Sequence, residues 1–145
     1  YGVAPGVTLW AVRVIDCDDT GYISNIIRGI DWCAKQAKSG GKWVASLALS
    51  ADYDRAMNKA IADARKQGVV MVAAAGRGPT DACLTSPASE PSAITVASSN
   101  SFGEMSWWSN YGSCVDIFAP GEDIPSLWLK DPGQPTRPLV ASGTS

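Results

Sequence analysis

Histidine is missing altogether from the 145-residue sequence. A Ser/His/Asp or Cys/His relay confined to this chain is thereby excluded, as is any zinc site that needs imidazole. Chemistry of that kind has to take its base from elsewhere. Long hydrophobic runs are missing too: the longest, Val69 to Ala75, has seven residues, against roughly 20 for a membrane-spanning helix. Tyr1-Gly2-Val3-Ala4-Pro5 lacks the basic start of a secretory leader, so a soluble chain without a membrane partner is expected. There is no excess of positive charge, with 12 Lys and Arg against 14 Asp and Glu for a net charge of −2. Without a basic stripe to neutralise phosphates, nucleic acid is a poor partner. Cysteine is sparse as well. Four in the chain are too few for a disulfide-stapled mini-domain, yet an even number is compatible with bridges in an oxidising compartment.

What is present is the pattern of one globular domain or a piece of one, 46% apolar and built from alternating strand and helix signals. Thr8 to Ile15 is rich in β-branched and aromatic residues and predicts a strand running into the polar loop Asp16-Cys17-Asp18-Asp19-Thr20-Gly21. Ile23, Ile26, Ile27, Ile30, Ala34 and Ala37 mark one face of a helix, with Ser24 as its cap, Gly40-Gly41 as its stop and Arg28, Asp31 and Lys35 facing water. Lys42 to Leu49 predicts a buried strand. Asp52 is then placed to cap a second helix, whose seam is Met57, Ala60, Ile61 and Ala64. Arg65 and Lys66 sit at the negative end of that helix dipole and Gly68 ends it.

The uninterrupted apolar run Val69 to Ala75 predicts a strand covered on both faces. Further strands are expected at Ala93 to Ala97 and Cys114 to Phe118. Five of the nine prolines fall between Pro120 and Pro138, which reads as loop or edge. Strand, helix, strand, helix, strand is the signature of a parallel α/β sheet with right-handed crossovers, whose ligands gather at the carboxyl ends of the strands.

Two patterns imitate known sites without completing them. Asp16 to Gly21 opens like a calcium loop but has Ile27 where the bidentate Glu belongs. Gly76-Arg77-Gly78-Pro79-Thr80-Asp81 follows a strand as a dinucleotide fingerprint would, but ends in Asp and carries a Pro where a helix should open. An unrelated nucleotide-binding module is the remote reading it leaves. Trp107 and Trp108 are adjacent, so one is expected inside and one exposed.

Several longer stretches occur in one order: Tyr1-Gly2-Val3-Ala4-Pro5, Val12-Arg13-Val14-Ile15-Asp16, Ser86 to Val96, Ser109 to Gly121, and Ser142-Gly143-Thr144-Ser145. Together they resemble the subtilisin-like serine proteases, in the proteinase K branch, from Tyr1 to Ser145. The resemblance implies a three-layer α/β sandwich with a mainly parallel central sheet, truncated at both ends. It makes the chain the central portion of a single peptidase domain. The family's catalytic Asp and His map upstream of Tyr1, and the helix that follows the nucleophile maps beyond Ser145. The nucleophile itself maps onto Ser145. A slice of this kind is expected to be inactive alone, and marginally stable or aggregating, because apolar faces of its sheet are left uncovered.

Residue by residue, the resemblance places Arg77 at the side-chain oxyanion donor. It places Asp19, Thr20 and Gly21 on one edge of the substrate groove and Leu49, Ser50, Ala51, Ala74, Ala75 and Gly76 around the opposite edge and specificity pocket. Cys83 and Cys114 match a disulfide pair; Cys17 matches a cysteine whose partner lies upstream, and Cys33 is read as a small buried residue. Pro91 and Ala93 carbonyls with the Asp116 carboxylate match a structural calcium site, against a plain buried Asp as the alternative. No cofactor is required for the chemistry. Protein or peptide substrates, a protein inhibitor or propeptide as further partner, secretion, and a monomer at full length are the remaining implications.

Two departures weigh against an efficient peptidase. Family members have Asn in an Ala-Ala-Gly-Asn turn where this chain has Ala74-Ala75-Gly76-Arg77; losing such a donor costs about 2.7 to 4 kcal/mol of transition-state stabilisation. The guanidinium either reaches the same oxygen or points to solvent. After Ser46-Leu47-Ala48-Leu49 the family runs Gly-Gly-Gly, and this chain has Ser50-Ala51-Asp52, whose side chains crowd a peptide laid along the edge. The alternative function is a non-catalytic homologue that binds protein or peptide in an altered groove.

Overall fold

The computed structural model describes residues 3–127 and 138–145. In chain order its elements are α1 (Ile23–Ala37), β1 (Trp43–Leu47), β2 (Ala51–Asp52), α2 (Arg55–Lys66), β3 (Val69–Ala74), β4 (Thr85–Ser86), β5 (Ile94–Ser99), β6 (Ile117–Pro120), β7 (Ile124–Leu127) and β8 (Pro138–Ala141). Strands β1, β3, β5 and β6 form a parallel sheet in the order β1-β3-β5-β6. Val44 pairs with Val70, Ala73 with Thr95 and Ala97 with Phe118. Short antiparallel ladders join β2 to β4 and β7 to β8. The parallel α/β sandwich expected from the strand and helix order is thus the observed fold.

The larger core forms where α1 and α2 pack against each other and on one face of the sheet. Ile26, Ile30 and Ala34 from α1, Met57, Ala60, Ile61 and Ala64 from α2, and Val69, Met71 and Ala73 from β3 are all buried in it. The alternation along β3 assigns the other side chains, Val70 and Val72, to the opposite face, where they are only half-buried. Coverage of that second face is therefore partial. A smaller core of Ala75, Ala82, Ala88 and Ala97 lies beyond the carboxyl end of β3.

Several boundaries differ from the sequence reading. Thr8 to Ile15 forms no strand: no ladder pairs it, and Leu9 and Trp10 are exposed. An extended segment becomes a strand only when a neighbouring edge accepts its hydrogen bonds, and here it is held by side chains, Trp10 lying 6.0 Å from Trp32 and 6.1 Å from Trp43 between ring centroids. Ser24 does not cap α1. Tyr22 occupies the cap position without a side-chain bond, since Ser24 already lies inside the first turn. The cap of α2 is Asp54, whose carboxylate accepts the Met57 N–H at 2.7 Å. Asp52 is instead paired with Thr85 in β2. The ladder of β6 starts at Ile117, after the turn that holds Cys114. Within the proline-rich stretch, 124–127 and 138–141 pair as a hairpin ladder, while the remainder of that expected loop, 128–137, lies outside the described residues.

Candidate active site

The carboxyl end of β3 sets the site. Ala75 continues the strand by donating its N–H to the Val96 carbonyl at 2.9 Å. At Gly76 the backbone then turns with φ +103°, and a β-carbon there would lie 2.5 Å from Asn110 Nδ2 and 3.0 Å from Ser50 Oγ. Only glycine accepts both the conformation and the crowding. Buried Asn110 explains the crowding: its Nδ2 donates to the Ala75 carbonyl at 2.9 Å, and its Oδ1 accepts the Thr80 N–H and hydroxyl, each at 3.3 Å.

Residues 76–82 are zipped to 108–111. Asn110 N–H donates to Gly76 O, Gly78 N–H to Trp108 O, Tyr111 N–H to Thr80 O and Ala82 N–H to Tyr111 O, at 2.7 to 3.1 Å. The turn is anchored further by Asp81, which accepts the Cys83 N–H at 2.9 Å, and by a disulfide between Cys83 and Cys114 with Cα atoms 5.3 Å apart. This loop leaves no room for a phosphate-binding helix, and a single 3-10 turn, Ala82–Leu84, follows it.

Against this platform rests the segment 142–145. Gly76 N–H donates to Thr144 Oγ1 at 3.1 Å, and the Thr144 hydroxyl returns toward Gly76 O at 3.4 Å. Gly143 N–H donates to Gly121 O at 2.8 Å, and any β-carbon at Gly121 would collide with the Gly143 carbonyl. A cavity of about 150 Å³ opens between the sheet ends and this segment, lined by Ala48, Ala74, Val96, Gly121, Thr144 and Ser145 among others. Ser145 is exposed at its margin.

Arg77 neither extends freely into solvent nor lies loose. Its guanidinium carbon sits 4.8 Å from the centre of the buried Trp108 ring, and Nη1 donates to the Ser142 carbonyl at 3.4 Å. Trp107 beside it is 77% exposed, so the two tryptophans divide between inside and outside as expected, on a turn rather than a strand.

Of the residues singled out in the sequence, the structure brings Ser50, Ala74, Ala75, Gly76, Arg77 and Ser145 around this platform. Leu49 faces a different hollow of about 600 Å³ between residues 7–14, α1 and β1. Ala51 is held in β2. Asp19, Thr20 and Gly21 form a separate loop organised by Asp16, whose carboxylate accepts the Asp18 and Thr20 N–H groups, each at 3.0 Å, and the Thr20 hydroxyl at 2.9 Å. The Thr20 backbone bond, then the Thr20 hydroxyl, hold the Asp16 carboxyl below its ordinary range.

Pro91, Ala93 and Asp116 lie at the opposite end of β5. Asp116 is exposed rather than buried; one of its oxygens accepts the Thr95 N–H at 2.7 Å, and the other has no partner among the described residues. Cys17 is an exposed thiol accepting from Arg13 Nη2 at 3.2 Å. Cys33 is half-buried, and burial raises its thiol above the ordinary value.

Sequence reasoning passed over Asn110, Trp108, Thr144 and Ser142 as site residues. The signal lay in the text: Ser109-Asn110-Tyr111-Gly112 and Ser142-Gly143-Thr144-Ser145 both carried the resemblance. Their partners, however, are 34 and 68 residues away, and no local pattern reveals such pairs.

The carboxyl ends of the parallel strands thus meet the turn at Gly76 and the Gly-Thr-Ser segment, at the edge where open α/β sheets gather their ligands. The subtilase family profile matches residues 1–145, and the chain belongs to that family. It is 43% identical to subtilisin-like protease 6 of Trichophyton rubrum, covering all of this chain and 36% of the fungal protein. It is 41% identical to an extracellular serine proteinase of Thermus sp. (strain Rt41A), with 100% and 34% covered. A cold-adapted subtilisin-like serine proteinase of known crystal structure superposes with a TM-score of 0.89 at 40% identity, over 99% of this chain and 50% of that one. The chain thus spans about a third of the length of the curated relatives it matches. Among the described residues no helix is long and apolar enough to cross a membrane.

Proposed function

We propose that this chain is the nucleophile-bearing part of a secreted serine endopeptidase that hydrolyses peptide bonds through an acyl-enzyme. Ser145 Oγ attacks the peptide carbonyl, a His and an Asp from outside these 145 residues act as base and orienter, and the amine leaves with the proton the His has taken. The observation that carries the reading is the latch of Thr144 on Gly76, which fixes Ser145 at the margin of the cavity at the carboxyl ends of the strands. In this reading the Ser145 N–H faces the developing oxyanion, and Ala74, which lines the cavity beside Ser145, belongs with Ala75, Gly76 and Ser50 to the wall of the specificity pocket. Relatives of the same family are named as extracellular and serine proteinases, which supports secretion and protein or peptide substrates.

The chemistry needs no cofactor. Carbonyl oxygens of Pro91 and Ala93 with the free oxygen of Asp116 make an all-oxygen donor set, suited to a hard cation such as calcium in a structural role.

Labelling the full natural protein with a fluorophosphonate tests the reading. An adduct mapped to Ser145 and lost in Ser145→Ala is the expected result. A folded protein without adduct overturns it in favour of the peptide-binding homologue, which Arg77 and Ser50-Ala51-Asp52 favour.

A further inference from the structure

We infer that Arg77 is a specificity-determining residue that recognises a carboxylate of the bound peptide, an Asp or Glu side chain or a free C-terminus. The inference deepens the reading of Ser145 as nucleophile and rests on it.

Three observations carry it. The guanidinium is held at two points: its carbon lies 4.8 Å from the centre of the buried Trp108 ring, and Nη1 donates to the Ser142 carbonyl at 3.4 Å, while the residue as a whole is exposed. A cation over an aromatic ring keeps its remaining N–H donors available to a ligand. The group is also unspent, since arginine carries five N–H donors and only the single bond to Ser142 engages them among the described residues. No carboxylate among those residues lies within 4.0 Å of it; the ion pairs seen are Lys59 and Lys66 with Asp63, on α2. Finally, the group is close to the reaction. Ser142 is three residues from Ser145, and three extended residues span at most about 11 Å. A peptide laid at Ser145 therefore brings its side chains within about three positions of the scissile bond to Arg77. A planar, unpaired fork presented to a peptide is complementary to a carboxylate, which it can hold by two parallel N–H···O bonds.

The test uses the full natural protein and a set of matched peptides. Gln is replaced by Glu at each of the three positions on either side of the cleaved bond, and the C-terminus is free or amidated. The expected result is that one placement of carboxylate raises kcat/KM about tenfold over its amide, mainly through KM. In Arg77→Gln that ratio falls to within about twofold of unity, while Arg77→Lys retains part of it. A side-chain Glu effect and a C-terminal acid effect separate the two sources. Ratios near unity for every peptide in the natural protein, or a ratio unchanged in Arg77→Gln, overturn the inference; ratios are unaffected by any loss of folded protein. Should the protein fail to label at Ser145, the catalytic reading fails by itself. Fluorescence anisotropy with the same peptides then decides: tighter binding of the acidic peptide, lost in Arg77→Gln, supports carboxylate recognition, and equal or no binding overturns it.

Discussion

Residues 75–84 and 106–115 hold each other through four backbone bonds, the Asn110 side chain and a disulfide, and the core beneath them is closed. Residues 8–20 and the β1 edge are built differently. Leu9 is 87% exposed and Val44 66%, the extended segment 8–15 has no ladder, and a wide hollow separates it from β1. Residues 8–20 with β1 are the richer of the two in β-branched residues, with six Val, Ile or Thr in 18 positions against two in 20, so apolar and β-branched content does not by itself close a region. What separates them is whether each backbone donor and apolar face has a partner among the described residues. One edge of a sheet can be finished among the described residues while its other edge is left open.

The largest effect that would break the contrast concerns the chain by itself. Expressed alone, it is expected to bind ANS and to associate through the open edge; a cooperative, monomeric melt would show the edge to be closed after all. Within the intact protein, Met57→Ala on the finished side should cost about 3 to 4 kcal/mol in urea denaturation, because a fully buried side chain leaves a cavity. A cost under about 1 kcal/mol would mean that the α1/α2 core is as loose as the edge. Gly76→Ala should cost about 2 kcal/mol, from the left-handed backbone and the contact with Asn110, and should lower the fraction of protein labelled at Ser145. Unchanged labelling would detach Ser145 from the platform.

The smallest effect sharpens the open side. The folded Asp16 carboxyl titrates below its ordinary 3.8, so its support of the 16–20 loop is complete above that value and is lost as pH falls through the lower folded one. The protection of the Thr20 amide against exchange, relative to an unfolded chain at the same pH, should fall over that acid range and be lower at every pH in Asp16→Asn. Protection that persists in the variant would place the loop's stability in its backbone instead.

Much of this was legible from periodicity. The seam Met57, Ala60, Ile61, Ala64 and the run after Gly68 predicted α2 and β3 because a helix face and a buried strand are local patterns. Asp54 rather than Asp52 as the cap was not, since both are good caps and the choice is made by Ser86, whose hydroxyl accepts the Asp54 N–H at 2.9 Å from 32 residues away. The strand expected at 8–15 failed for a related reason, strand formation being a property of two segments. At the site, Gly76 and Ser145 stood out through the resemblance, but the side chain of Arg77 was open between two readings. Its contacts with Trp108 and the Ser142 carbonyl belong to neither reading, and neither partner adjoins Arg77 in sequence.

The bond from Gly76 N–H to Thr144 Oγ1 spans 68 residues, and its consequence is one of timing. Closing so large a loop is entropically costly, so contacts of this span form after the local ones that surround them. Thr144 and Gly143 rest on the ends of β3 and β6, so the placement of Ser145 is expected to follow the formation of those strands.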